Sequence, residues 1–181
     1  MILMACYFLD KKYKETLEYC NKLLESDELE EFEKAVVYHK RAICHLVDGQ
    51  FEESEKDVKN GLACDKEFSD LYIIQGELFL SEGKMIEAES SFRRAESFSM
   101  EKAETIHQAA ITYMRYEHFD EAASTYLWME KEYPEEVKQF YGYIAFCHYR
   151  RRDKENLFKY LIRCCIYTPE SLTNPIFIEK D

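Results

Sequence analysis

This 181-residue chain has little that bends or breaks a backbone, with 3 prolines and 5 glycines. That scarcity suits a helical protein better than a sandwich or a disordered chain. With 33% charged and 46% apolar residues, the composition suits a helical protein with a packed core. No run of about 20 apolar residues occurs, so no helical membrane span is expected. Leu3-Met4-Ala5-Cys6 superficially resembles a lipoprotein cleavage box. No basic segment precedes it, and the apolar run is shorter than the about 7–15 residues of a signal sequence. The expectation is a soluble, cytoplasmic protein, provided Met1 is the natural start.

Positive charge is also in short supply. The 24 Lys and Arg face 36 Asp and Glu, a net charge of −12, which argues against a broad nucleic-acid surface. The seven cysteines, an odd number, include no C-x-x-C pair. Cys6, Cys20, Cys44, Cys64, Cys147, Cys164 and Cys165 mostly fall at helix-packing phases, where a free thiol acts as a small hydrophobe. A reducing compartment and no disulfide framework follow. Neighbouring helical residues point about 100° apart, so Cys164 and Cys165 are not expected to pair.

Catalytic motifs are missing as well. There is no Gly-rich phosphate loop, H-E-x-x-H, G-x-S-x-G or calcium-loop spacing. His39, His45, His107, His118 and His148 never stand three or four apart, so no helix offers a two-histidine chelate. No catalysis, metal or cofactor is expected.

What is present is periodicity. In Ser69–Glu96, Tyr72, Gly76 and Phe79 share one helical face; Gly83 interrupts; Met85, Ala88, Phe92 and Ala95 then share another. Gly76 and Ala88 let two helices approach while the aromatics fill the space around them. Such a hairpin needs neighbours on both sides. Shifting by 34 residues brings Ile106, Ala110, Tyr113, Phe119, Ala122, Tyr126 and Met129 into the same phase. Shifting back by 34 brings Tyr38, Ala42, His45, Gly49, Phe51, Ser54, Val58 and Gly61.

A 34-residue period with these packing residues resembles the tetratricopeptide repeat family. The resemblance implies an all-α, right-handed α-α superhelix of about five helix hairpins, with repeats near 1–26, 31–64, 69–97, 103–132 and 136–167. Met1 falls partway into a first helix. Either the first repeat is clipped or the chain is the C-terminal part of a longer array. Four residues are added near 27–31, where Glu28, Glu30, Glu31 and Glu33 favour a helix start. Pro134 suits the first turn of the fifth repeat. At constant period, that repeat sets Ile144 at the small position, Asp153 at an aromatic one and Asn156 at an alanine one.

Each first helix carries a second face about 120° from its packing face. In proteins of the resembled family these phases line the concave groove. Here they give Val36, His39, Ile43, Ile73, Glu77, His107, Ile111, Met114, Tyr141 and His148 as the candidate partner-binding residues. Two readings stay open: an apolar groove for a partner segment, or residues covered by neighbouring repeats or by the chain's own tail. Family members that clamp a chaperone's terminal carboxylate use cations at these phases; here Lys138 is the only cation, so that role is rejected.

Charge is uneven. Residues 1–136 carry 16 Lys and Arg against 31 Asp and Glu, while residues 137–169 carry 7 against 2. Arg150-Arg151-Arg152 lies in the last hairpin turn, either steering a partner or solvated at a helix end. The tail 170–181, with Ile176-Phe177-Ile178, is expected to cap the last hairpin; the groove is its other candidate seat. The expected function is non-catalytic protein–protein recognition, with a protein or peptide partner, no nucleic acid, no membrane, and self-association left open. The alternatives are a small secretion-type chaperone and a regulatory array of a longer protein.

Overall fold

Residues 1–26 and 28–169 are described by the structure, a computed structural model. They form ten α-helices and a short 3-10 segment, with no strand among the described residues. The chain divides into two compact units, Met1–Met100 and a second beginning at Glu101. The first unit contains α1 (Ile2–Leu9), α2 (Tyr13–Leu24), α3 (Glu31–Val47), α4 (Phe51–Cys64), α5 (Ser69–Ser81) and α6 (Met85–Phe98). The second contains α7 (Lys102–Arg115), α8 (Phe119–Glu132), the 3-10 segment Glu136–Phe140, α9 (Tyr141–Arg150) and α10 (Lys154–Tyr167).

Consecutive helices pair as antiparallel hairpins, and every hairpin turns through one residue of positive φ. These are Lys11, Gly49, Gly83, Glu117 and Arg152, with φ between 57° and 74°. L side chains resist that conformation, so glycine is the favoured occupant. The start of α3 carries the capping box that its acids imply: Glu30 is the N-cap, and its backbone N–H donates to Glu33 Oε2 at 3.0 Å.

In the first unit, Ala42, Val58, Leu71, Ile74 and Leu78 form one buried cluster, with Ile43, Leu46, Leu62 and Phe68 packed against it. Gly76 is required by close approach, because a Cβ there would overlap the Phe92 ring. The sequence assigned Gly76 this role. One polar linkage ties three helices together: Arg41 grips buried Asp57 with Nε and Nη2 at 2.9 and 2.6 Å, while its Nη1 donates to Asn21 at 2.7 Å. Bidentate geometry is what makes a buried guanidinium–carboxylate pair hold its register.

The fifth hairpin corrects the constant period. Gly49, Gly83 and Glu117 follow at intervals of 34, but Arg152 comes 35 after Glu117. The added residue is absorbed before α9. Pro134 opens a turn rather than an α-helix, Glu136–Phe140 winds as 3-10, and Phe140 leaves the helical region at φ −105° and ψ 4°. Val137 and Phe140 are buried there, so packing holds the irregular segment. With this slip, Ala145 rather than Ile144 occupies the small position, and Asp153 occupies the N-cap rather than an aromatic site. Asp153 Oδ1 accepts from the Asn156 backbone N–H at 3.2 Å, a regular helix cap.

Candidate functional site

Six of the ten candidate residues are buried and four are half-buried. In the first unit, His39 is buried with its ring 5.5 Å from that of Phe68. Burial, with Lys40 beside it, pushes the His39 pKa down to about 3. Ile73 and Glu77 are buried in α5. Val36 is half-buried against the cluster of Met4, Cys20 and Val37, and Ile43 packs on the neighbouring core. A second-face residue of α3 therefore faces α5 and its entry, not solvent alone.

In the second unit, His107 is enclosed by aromatics. Its ring stacks on Phe140 at 3.9 Å and meets Tyr143 edge-on at 4.8 Å. Its Nδ1 shares a 2.8 Å hydrogen bond with the Tyr126 hydroxyl. Burial lowers the His107 pKa to about 4 and raises that of Tyr126, so both groups are neutral across the physiological range.

Tyr141 and His148 lie on the inner face of the last hairpin. Their rings are 5.8 and 5.4 Å from the Tyr160 ring, and His148 stacks on it nearly parallel. His148 Nδ1 lies 3.1 Å from Asp153 Oδ2. The one-residue slip explains the placement: Tyr141, Ala145 and His148 repeat the packing positions of Ile106, Ala110 and Tyr113. The residues equivalent to Ile111 and Met114 are Phe146 and Tyr149. The sequence contained that signal, since Ala145 is the small residue the pattern requires.

Ile111 and Met114 are half-buried on α7; on α9, Phe146 is half-buried and Tyr149 is 48% exposed. Two contacts reach α9 from the preceding hairpin. One is the His107–Tyr143 contact. The other is the Arg150 guanidinium, which lies over the Phe119 and Phe146 rings and reaches Glu117 at 3.3 Å. Arg151 Nε bonds Asp120 at 2.6 Å, and Arg152 is the left-handed turn residue. Arg150 and Arg151 thus anchor the last turn to the preceding one, while Arg152 is its residue of positive φ.

All seven cysteines are free thiols, four of them buried. Burial pushes the pKa of Cys20 and Cys147 up to about 12 and that of Cys44 to about 11, which suppresses the reactive thiolate. Among the described residues, no group of three or more His, Cys, Asp or Glu could hold a metal, and no helix is long and apolar enough to cross a membrane.

No protein-family model and no curated protein sequence matches the chain. Solved structures do. MamA aligns with TM-score 0.64 at 14% identity, covering 94% of this chain and 96% of its own. YrrB, a TPR protein with an unusual peptide-binding site, aligns with TM-score 0.57 at 15% identity, covering 97% and 86%. The C-terminal part of a TPR repeat-containing protein from Cytophaga hutchinsonii aligns with TM-score 0.64 at 15% identity, covering 92% and 64%. Paired helices, turn geometry and these likenesses agree: the chain has the tetratricopeptide-repeat fold.

Proposed function

We propose that this chain is a non-catalytic protein-interaction module, and that the α7–α9 face takes a short apolar segment of a partner protein. The observation that carries this reading is the incomplete cover over Ile111, Met114, Phe146 and Tyr149. A helix face with no binding role is normally polar, whereas these four side chains are apolar or aromatic. Aromatic and methionine side chains are the types enriched where proteins meet. The peptide-binding site of the similar YrrB supports the reading by analogy of fold. Of the wider candidate groove, Ile111 and Met114 are the residues offered for direct contact; His107 braces the patch from within.

The test is capture from native lysate by wild type and by the double variant Ile111→Asp, Met114→Asp, followed by mass spectrometry. Helical circular dichroism controls for folding. A protein enriched by wild type should lose about 100-fold in affinity for the variant, the scale of losing two apolar anchors. Identical captured sets from both proteins would overturn the assignment. Substituting buried Ile73 instead would test the fold rather than the site.

A further inference from the structure

Counting from the positive-φ turn residues puts the five hairpins in one register. Five residues before the turn stand Cys6, Cys44, Leu78, Thr112 and Cys147. The last four are buried, and Cys6 is exposed. Nine residues before the turn, Ile74 is 4% exposed and Ile2 is 84% exposed. On the second helices, thirteen residues after the turn, stand Leu24, Leu62, Glu96, Glu130 and Cys165. The first four are half-buried, and Cys165 is exposed. Residues 170–181, expected to cap the last hairpin, lie outside the described residues.

The contact made at these phases is seen where α4 meets α5. Val58 is buried with Leu71, Ile74 and Leu78, Leu62 packs against them, and a Cβ on Gly61 would overlap Leu71. The second helix of one hairpin thus seats the first helix of the next. Val58 and Leu62 correspond in register to Leu161 and Cys165 of α10, and Ile74 and Leu78 correspond to Ile2 and Cys6 of α1.

We infer that α1 of one molecule seats on α10 of a second, repeating the α4–α5 junction between chains. Ile2 and Cys6 then pack against Leu161 and Cys165. Two observations select a second copy as the occupant. Both halves of an interior junction occur in this chain at matching positions, with Ile2, Cys6 and Cys165 exposed and Leu161 half-buried. In addition, α1 has no charged residue from Ile2 to Leu9, so its burial strands no charge. The contact is heterologous, so a dimer keeps one free α1 and one free α10 and can add further molecules. One helix on one hairpin falls short of the about 1,000 Å² of a stable complex, so association is weak and concentration-dependent.

Cys6 and Cys165 serve as native probes, being the exposed thiols of the chain. In the interior junction Leu71 lies against Gly61, and Leu78 is seven residues further along α5. The two thiols should therefore stand roughly 10 Å apart along the paired helices. A bis-maleimide of longer span, added at about 200 µM protein to favour a weak contact, should join Cys6 of one molecule to Cys165 of another. A ladder on a denaturing gel and the linked peptides in mass spectrometry report the product. Cys6→Ser and Cys165→Ser should each abolish the ladder, and mixing the two variants should restore a crosslinked dimer. Ile2→Asp should lower the yield about tenfold while helical circular dichroism is unchanged. Absence of an interchain product in wild type would overturn the inference, as would a link confined to one chain. A main product joining Cys6 to Cys6, or Cys165 to Cys165, would do the same, and so would a yield that Ile2→Asp leaves intact.

Discussion

The α5–α6 and α9–α10 hairpins are built from the same repeat and solve opposite problems. In α5 eight residues are buried, including Leu71, Ile74 and Leu78, and its partner α6 keeps a charged outer face. In α10 only Tyr160 and Cys164 are buried, while Phe158, Ile162 and Ile166 are exposed. An interior repeat spends its apolar residues on its first helix, where a neighbour covers both sides. The last repeat does the same on α9, and in addition carries Phe158, Ile162 and Ile166 outward on its second helix. The sequence of a repeat thus reflects its neighbours as much as its own hairpin, as nearest-neighbour stability in solenoids requires.

The comparison breaks most sharply at Arg41, which has no counterpart in the last hairpin. Arg41→Ala leaves the buried Asp57 carboxylate with only His45 Nε2, at 3.7 Å, beside it and should destabilise the first unit by about 3 kcal/mol. Trp128, the only tryptophan, reports the second unit. Its fluorescence midpoint in urea should stay unchanged while the circular dichroism midpoint falls; a joint shift would contradict the assignment. Next comes Gly76→Ala, which forces a methyl into the Phe92 ring and should lower stability by up to about 3 kcal/mol. Adding Phe92→Leu should recover part of that loss. In the last hairpin the change runs the other way, because the buried position already holds Ala145. Ala145→Gly should destabilise by about 1 kcal/mol through helix propensity.

Acid separates the units more gently. His39, His107 and His148 are held neutral by burial, the last against the opposing pull of Asp153. Their folded pKa values lie below the unfolded value near 6.5, so the unfolded chain binds protons first as pH falls. Their stabilisation is full above about pH 6.5. For His107 it declines until about pH 4, and for His39 until about pH 3. At pH 5 the His107 contribution alone drops by roughly 2 kcal/mol. With two of the three histidines in the second unit, the Trp128 midpoint should move before that of the whole chain. The smallest effect is expected for Asp153→Ala, about 1 kcal/mol for a lost N-cap, again detected by Trp128 and not by the first unit.

Much of this architecture was legible because small residues and aromatics repeat in fixed phase. Gly76 against Phe92 and the acids before α3 acted as their positions implied. The last hairpin was not legible at constant period. Ile144 and Ala145 are neighbours, and neither glycine nor proline marks the 3-10 segment that absorbs the extra residue. The D-x-x-N of Asp153 and Asn156 was a readable cap, and it would have fixed the register. For the histidines, phase could place them on the second face but could not show that Phe68 and Phe140 close over them. That cover depends on neighbouring elements outside each histidine's own helix.

The five hairpin turns also have a consequence written in handedness rather than in chemistry. Each reverses at a residue whose backbone is the mirror image of the helices on either side, yet only Gly49 and Gly83 are achiral there. At exposed Lys11 and Arg152 an L side chain sits on a D-type backbone. A chemically synthesised chain with D-alanine at either site should be more stable than one with L-alanine there, by about 1–2 kcal/mol. The apices of the solenoid are thus places where stereochemistry, independent of side-chain identity, decides how readily the chain turns back on itself.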